Sequence, residues 1–223
     1  HNNNPYKDIK SFYNKFLLSI ISEIEEYIKN DIYLALKVTI AANLIDFSAK
    51  DKISKNDIKN ILFKANQLNL TIDDSQELFQ AMQKSRTILY LGDNCGEIVL
   101  DKLFLTMLKE KYNHLDIYYV VRGEPIVNDV TIEDANEVNM QEIAKVISNG
   151  DGSLGTVLSR CDKIFKKIFQ DADIVICKGQ GNYEGLLNCA KENLFFLFMS
   201  KCYLVAKSSN TNVSDIVCMK NKT

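Results

Sequence analysis

Ile88-Leu89-Tyr90-Leu91-Gly92-Asp93-Asn94-Cys95-Gly96-Glu97 is the stretch on which the fold turns. An apolar, β-prone run ends in a glycine, two side chains with metal-capable oxygens and a second glycine, and a helical pattern begins at Glu97. The sequence predicts a strand, a tight turn and a helix N-terminus. Such a junction sets carboxylate and amide oxygens at the carboxyl edge of a sheet, beside backbone N–H groups with partial positive charge. It therefore suits a metal ion and a phosphate together. An ordinary βα turn with a polar N-cap has the same local pattern, so the neighbouring segments decide.

Downstream, the pattern repeats. Ile98 to Lys111 reads as an amphipathic helix, and Ile117-Tyr118-Tyr119-Val120-Val121 as a buried parallel strand that runs into Arg122-Gly123-Glu124-Pro125-Ile126-Val127-Asn128-Asp129-Val130-Thr131. Thr131 with Asp134 marks a helix start, which places Asp129 just ahead of it. Lys145-Val146-Ile147 is a short strand leading into Ser148-Asn149-Gly150-Asp151-Gly152-Ser153-Leu154-Gly155-Thr156, a loop that suits either phosphate or ordinary turns. Leu158 to Phe169 traces a helix. Asp173 to Cys177 is a strand ending in Lys178-Gly179-Gln180-Gly181-Asn182-Tyr183-Glu184, and Leu194 to Met199 and Tyr203 to Ala206 are expected as two more strands.

Upstream, residues 1–85 hold no glycine, whereas all nine glycines lie between Gly92 and Gly185. Helices are expected over Asp8 to Asn30 and Ile32 to Asp46. A third is capped by Ser54 and Asp57, and a fourth opens at Asp74 and Glu77. Asn43 and Asp46, three residues apart, share a helix face that reaches either solvent or the cleft. The expected architecture is α/β: a three-layer α/β/α core with a mostly parallel, Rossmann-like sheet over residues 86–223, and an all-helical subdomain over residues 1–85. In such a sheet ligands bind outside the carboxyl ends of the strands, where all the polar clusters fall.

Composition narrows the function. The chain has 223 residues, 46% of them hydrophobic, and a formal net charge of −2 with scattered lysines, so it lacks the basic field of a nucleic-acid binder. A small-molecule partner is expected. No apolar run approaches the roughly 18 residues of a membrane span. Six cysteines without a CxxC pair read as reduced thiols of a cytoplasmic protein. The chain opens at His1-Asn2-Asn3-Asn4-Pro5 without a methionine, and its natural start is expected further upstream. The composition leaves the oligomeric state open.

At the carboxyl edge the sequence gathers Asp93, Asn94, Asn128 and Asp129 as hard oxygen ligands, with Glu97 nearby and Arg122 and Lys178 as cations. Only two histidines are present, one of them His1, which excludes a histidine-rich zinc site and favours Mg²⁺ or Mn²⁺. Carboxylates for a divalent ion with cations for an anion describe phosphoryl chemistry. With no Walker or kinase motif, water rather than a second substrate is the expected nucleophile, and a covalent aspartyl-phosphate is the rival route.

The Gly92–Glu97, Arg122–Thr131 and Lys178–Glu184 segments, together with Asn43-Leu44-Ile45-Asp46-Phe47, resemble the signatures of the damage-control phosphatases, formerly domain of unknown function 89, in order and over nearly the whole chain. The chain looks most like their prokaryotic-type branch, although that branch's N-terminal cysteine pair is missing here. The resemblance implies a metal-dependent phosphatase acting on small phosphorylated metabolites such as sugar phosphates or damaged nucleotides and cofactors. Carried over, the metal ligands are Asp93, Asn94 and Asp129, holding Mn²⁺ or Mg²⁺ first and Co²⁺ or Ni²⁺ next. Lys178 becomes the phosphate-holding lysine, and Asp93, Asp129 and Lys178 the catalytic set. Glu97, Arg122, Asn128, Asn182, Asn43, Ser148 and Asp151 take substrate-side places. Two other functions fit the residues less well: an S-adenosylmethionine-dependent methyltransferase, and a non-enzymatic phosphometabolite-binding protein.

Overall fold

The structure is a computed structural model that describes residues 4–45 and 53–222. Four helices come first: α1 (Lys7–Ser19), α2 (Ile21–Ile28), α3 (Ile32–Ala42) and α4 (Lys55–Leu62). The single helix expected over Asp8 to Asn30 is therefore two. Ser19 Oγ donates back to the Phe16 carbonyl at 2.6 Å, and Ile20 leaves the helical region with φ −116° and ψ 7°. Asp31 caps α3 by accepting the Tyr33 and Leu34 N–H groups, and Ser54 caps α4 by accepting that of Asp57. Helix α3 ends at Ala42, and Asn43 follows as its cap. Asp46 and Phe47, expected at its end, lie outside the described residues.

A short strand, β1 (Ile72–Asp73), and helix α5 (Ser75–Lys84) follow, so the stretch expected to be all-helical also contributes two residues to the sheet. The chain then alternates: β2 (Thr87–Leu91), α6 (Glu97–Lys111), β3 (Asp116–Val121), α7 (Ile132–Glu137), β4 (Lys145–Ser148), α8 (Lys163–Asp171), β5 (Ile174–Lys178) and α9 (Gln180–Leu186). It closes with β6 (Leu194–Met199), α10 (Tyr203–Ser209) and β7 (Ile216–Lys220). Tyr203 to Ala206, expected as a strand, is helical. Four apolar residues cannot reveal their period, and here Val205 and Ala206 face the core while Tyr203 and Leu204 are exposed. The last strand of the chain is instead β7, between β1 and β6, which the sequence reading missed. The helix expected from Leu158 starts instead at Lys163, where Asp162 accepts the Phe165 N–H.

The strands form one sheet in the order β1-β7-β6-β5-β2-β3-β4. Strands β2 to β6 run parallel, and β7 is antiparallel to β6. Alternation along each strand divides the core between two faces. Ile88, Tyr90, Ile174, Ile176, Phe195 and Leu197 join the apolar cluster under α1 to α7, while Leu89, Leu91, Val175, Cys177, Phe196 and Phe198 join the one under α8 to α10. The fold is thus α/β/α. The first cluster runs unbroken across residues 85 and 86, where the subdomain boundary was expected.

Succession reverses between β2 and β5, which pair directly, Leu91 against Cys177. From β2 the chain steps outward through β3 and β4, and from β5 outward through β6. The crevice at the carboxyl ends of β2 and β5 is the topological switch point, where open α/β sheets bind ligands.

Candidate active site

The loops after β2 and β3 are tied to each other by backbone. Asn94 and Asp129 form an isolated antiparallel bridge. The Cys95 N–H donates to the Asn128 carbonyl and the Val130 N–H to the Asp93 carbonyl, each at 2.9 Å. Asp93, Asn94, Asn128 and Asp129 thereby reach one cleft of about 320 Å³, whose wall also includes Val127, Leu154, Gln180, Glu184 and Lys201. A larger concavity, about 940 Å³, lies at the amino ends of the strands around Ser85, Asp173 and Asn193. It holds none of these residues, so the chemistry belongs to the smaller cleft.

Most of the other expected site residues lie beneath the floor and not on it. Asn43, Glu97, Lys178 and Asn182 are each 0% exposed, and Arg122 is 2% exposed. Glu97 Oε1 accepts amide N–H groups from Asn43 at 3.1 Å and Asn94 at 2.8 Å, and its Oε2 accepts Lys178 Nζ at 2.8 Å. Lys178 donates also to Asp101 at 3.0 Å, and Asp101 takes the Tyr90 and Tyr119 hydroxyls. The Lys178 ammonium is enclosed between these two carboxylates, and Lys178 is not among the residues of the cleft wall. Asp101 and Glu97 hold its pKa above the ordinary value although burial opposes this.

Arg122 Nε donates to Asp129 Oδ2 at 2.7 Å, and its Nη1 to Asn182 Oδ1 at 3.2 Å and Thr156 Oγ1 at 3.3 Å. Asn182 Nδ2 donates to the Gly92 and Lys178 carbonyls, which ties the ends of β2 and β5 together. These contacts brace the ligand loops. Ser148 and Asp151 are likewise off the cleft wall: Ser148 Oγ accepts the Gly150 N–H, and Asp151 pairs with Arg160 at 3.2 Å. The start of α6 is not open to an anion either, because the Gly96 N–H donates to Asn14 Oδ1 at 2.7 Å and the Ile98 N–H to the Asn94 carbonyl.

The residues missed in the sequence are Lys201, Gln180 and Glu184. Lys201 sits two residues past the end of β6, where a polar side chain at the carboxyl end of a parallel strand is itself the signal. Its backbone N–H donates to Gln180 Oε1 at 2.8 Å, and Gln180 Nε2 donates to Glu184 Oε1 at 3.0 Å.

Electrostatics give the site its character. Among the described residues, Glu97, Asp101, Asp129 and the largely covered Asp93 gather around the buried cations Lys178 and Arg122, so carboxyl groups outnumber cations there. Burial, then Glu97 and Asp129, push the Asp93 carboxyl up to about 8, against the pull of Arg122 and Lys201. Burial also raises Asp129, despite its pairing with Arg122. Among the described residues no three His, Cys, Asp or Glu side chains form a metal cluster, so a cation here would need the Asn94 amide oxygen beside Asp93 and Asp129. That hard-oxygen set, whose carboxyl groups stay protonated to higher pH than usual without a cation, fits a divalent ion. Arg122 Nη2, buried and without a hydrogen-bond partner among the described residues, lies 3.9 Å from Asp93 Oδ1. It is a buried donor with unused hydrogen-bonding capacity beside Asp93.

The chain is similar to proteins already known. The sequence pattern of the damage-control phosphatase ARMT1-like domain matches residues 1–217. A damage-control phosphatase of Pyrococcus horikoshii is 34% identical over 221 residues, which cover 99% of this chain and 76% of the relative. A damage-control phosphatase of Archaeoglobus fulgidus is 31% identical over 218 residues, covering 96% of this chain and 74% of the relative. The crystal structure of a Pyrococcus horikoshii protein of the former domain-of-unknown-function-89 family superposes with a TM-score of 0.88 at 32% identity, covering 99% of this chain and 76% of that one.

Proposed function

The chain belongs to the damage-control phosphatase ARMT1-like family, and on that premise we propose that its cleft hydrolyses the phosphate monoesters of small metabolites with the help of one divalent cation. The observation that carries this reading is the pairing of opposite demands in one place. An excess of carboxylate calls for a cation, while Arg122 Nη2 and Lys201 call for an anion. Phosphate esters with a bound metal satisfy both.

Asp93, Asn94 and Asp129 would hold the ion, Mn²⁺ or Mg²⁺ by its oxygen set, and Co²⁺ or Ni²⁺ as further candidates. When bound, such an ion polarises a phosphoryl oxygen and lowers the pKa of a water. The chain's own residues do the rest. Lys201, on the cleft wall, and Arg122 Nη2 receive the phosphoryl oxygens as charge develops on them. Asp129, clamped by Arg122, orients the attacking water. Asp93, raised to about 8 by burial beside Glu97 and Asp129, would give up its proton to bind the ion as a carboxylate. A volume of about 320 Å³ supports a small substrate such as a sugar phosphate or a nucleotide- or cofactor-derived phosphate.

No disulfide joins cysteines among the described residues, which supports the cytoplasm as the place of action. No helix of the described residues is long and apolar enough to cross a membrane.

The test is a metal-by-substrate screen of phosphate release with Asp93→Ala beside it. The expected outcome is release that depends on added Mn²⁺ or Mg²⁺ and falls by at least about 100-fold in the variant, as for the loss of a group that stabilises the transition state. Full activity in Asp93→Ala would discard the site. Binding without turnover by the parent chain would favour a phosphometabolite-binding protein instead.

A further inference from the structure

The Asn94 side chain offers its oxygen to a cation only when its amide is turned one way, and the structure fixes that turn. Asn94 Nδ2 lies 2.8 Å from Glu97 Oε1 and 2.8 Å from Asp93 Oδ2. Glu97, completely buried, also takes an amide N–H of Asn43 on the same oxygen and Lys178 on the other. An ionised carboxylate is acceptor-only, so an amide touching it must present nitrogen. With its amide reversed, Asn94 would set Oδ1 against two carboxylate oxygens. Asn43 is sorted the same way: its nitrogen meets Glu97 and Asp93, and its oxygen accepts the Met199 N–H at 3.2 Å.

We propose that Glu97 is a positioning residue that sorts the two amides and turns the Asn94 oxygen toward the cation site, with Lys178 as its buried counter-ion. Glu97 is then neither a ligand nor a substrate contact. It acts through Asn94, and through Asn43 it ties that choice to the end of β6. The inference rests on the reading of Asp93, Asn94 and Asp129 as cation ligands, so its test separates the two.

Mn²⁺ alone is titrated into the full chain, without substrate, and free Mn²⁺ is read by electron paramagnetic resonance. Wild type binds the ion and Asp129→Ala, which lacks a ligand, does not; failure of either result overturns the cation reading itself. With that control in place, Glu97→Gln weakens Mn²⁺ binding by about 10- to 100-fold, the range for the outer partner of a metal ligand. A glutamine can donate to Asn94 and so permits the wrong turn. The double variant Glu97→Gln/Asn94→Asp regains most of the affinity, because a carboxylate shows oxygen on both sides. Unchanged affinity in Glu97→Gln, or a loss that the double variant does not repair, overturns the positioning role. A second measurement needs no folded Glu97 variant. In the metal-free wild type, the Asn94 side-chain amide protons, held by two carboxylates, exchange slowly with solvent in nuclear magnetic resonance spectra. Exchange at the rate of a free amide overturns the proposal.

Discussion

Lys178 and Lys201 both follow a parallel strand, yet they stand in opposite environments. Lys178 is sealed between Glu97 and Asp101, so Lys178→Met leaves two buried carboxylates without a cation. Breaking a buried pair in this way costs about 3–5 kcal/mol. Lys201 is exposed on the cleft wall, so Lys201→Ala leaves the melting temperature nearly unchanged and raises KM for the phosphate ester by about tenfold, as expected for a lost charged contact. Thermal melts and steady-state kinetics on the two variants separate these roles. Asp93 adds a pH signature. Its carboxyl lies near pH 8 in the folded chain, against about 3.9 in an unfolded one. The folded state therefore binds the extra proton. Its contribution to stability is complete below about pH 4 and is lost as pH rises through about 8. In the presence of a chelator, the melting temperature of the wild type should fall relative to that of Asp93→Asn as pH rises from 5 to 8. Parallel pH profiles would refute the shift.

At the scale of elements, the turn between β5 and α9 bears most directly on Asp93. Gly179 has φ +80°, and a Cβ there would stand 1.9 Å from Asp93 Oδ2. Gly179→Ala is expected to displace the Asp93 carboxylate and to lower kcat/KM by at least about tenfold, the scale at which misplacing a catalytic group is felt. Circular dichroism should still show a folded chain. This turn also shows what could be read from the sequence. The strands β2, β3, β5 and β6, their order of use, and the polar residues at their carboxyl ends were all legible, because long buried strands and glycine-bounded turns carry strong local signals. The direction of Lys178 was not legible. Whether a lysine after a strand points into a cleft or back under a helix depends on Glu97 and Asp101, one turn apart on α6, meeting it across the sheet. Nor was α10 legible, since its four apolar residues fit a strand and a helical turn equally well. Asn43 and Glu97 were identified as site residues, and the structure shows both buried beneath the cleft, Asn43 bonded to Glu97 and Asp93.

On the scale of the whole molecule, the first 84 residues are not an appendage. Asn14 of α1 accepts the Gly96 N–H, Lys10 pairs with Asp134 of α7 at 2.6 Å, and the apolar cluster continues from Tyr13 and Leu36 into Ile88 and Ile176 of the sheet. One cooperative unfolding transition is expected for the full chain, with coincident far-ultraviolet and near-ultraviolet melting curves. Two separated transitions would show that the helical layer unfolds by itself. The backbone bridge between Asn94 and Asp129 has a consequence for how such a chain can change in length. Each of the two loops is stitched to the other on both sides of its metal-capable residue, so one inserted residue in either would shift the register of both. The turn at 210–214, joining α10 to β7, is stitched in turn to Ser200, beside Lys201 of the cleft wall, by the Ser214 N–H and the Thr211 hydroxyl, so a change of length there would be felt at the cleft as well.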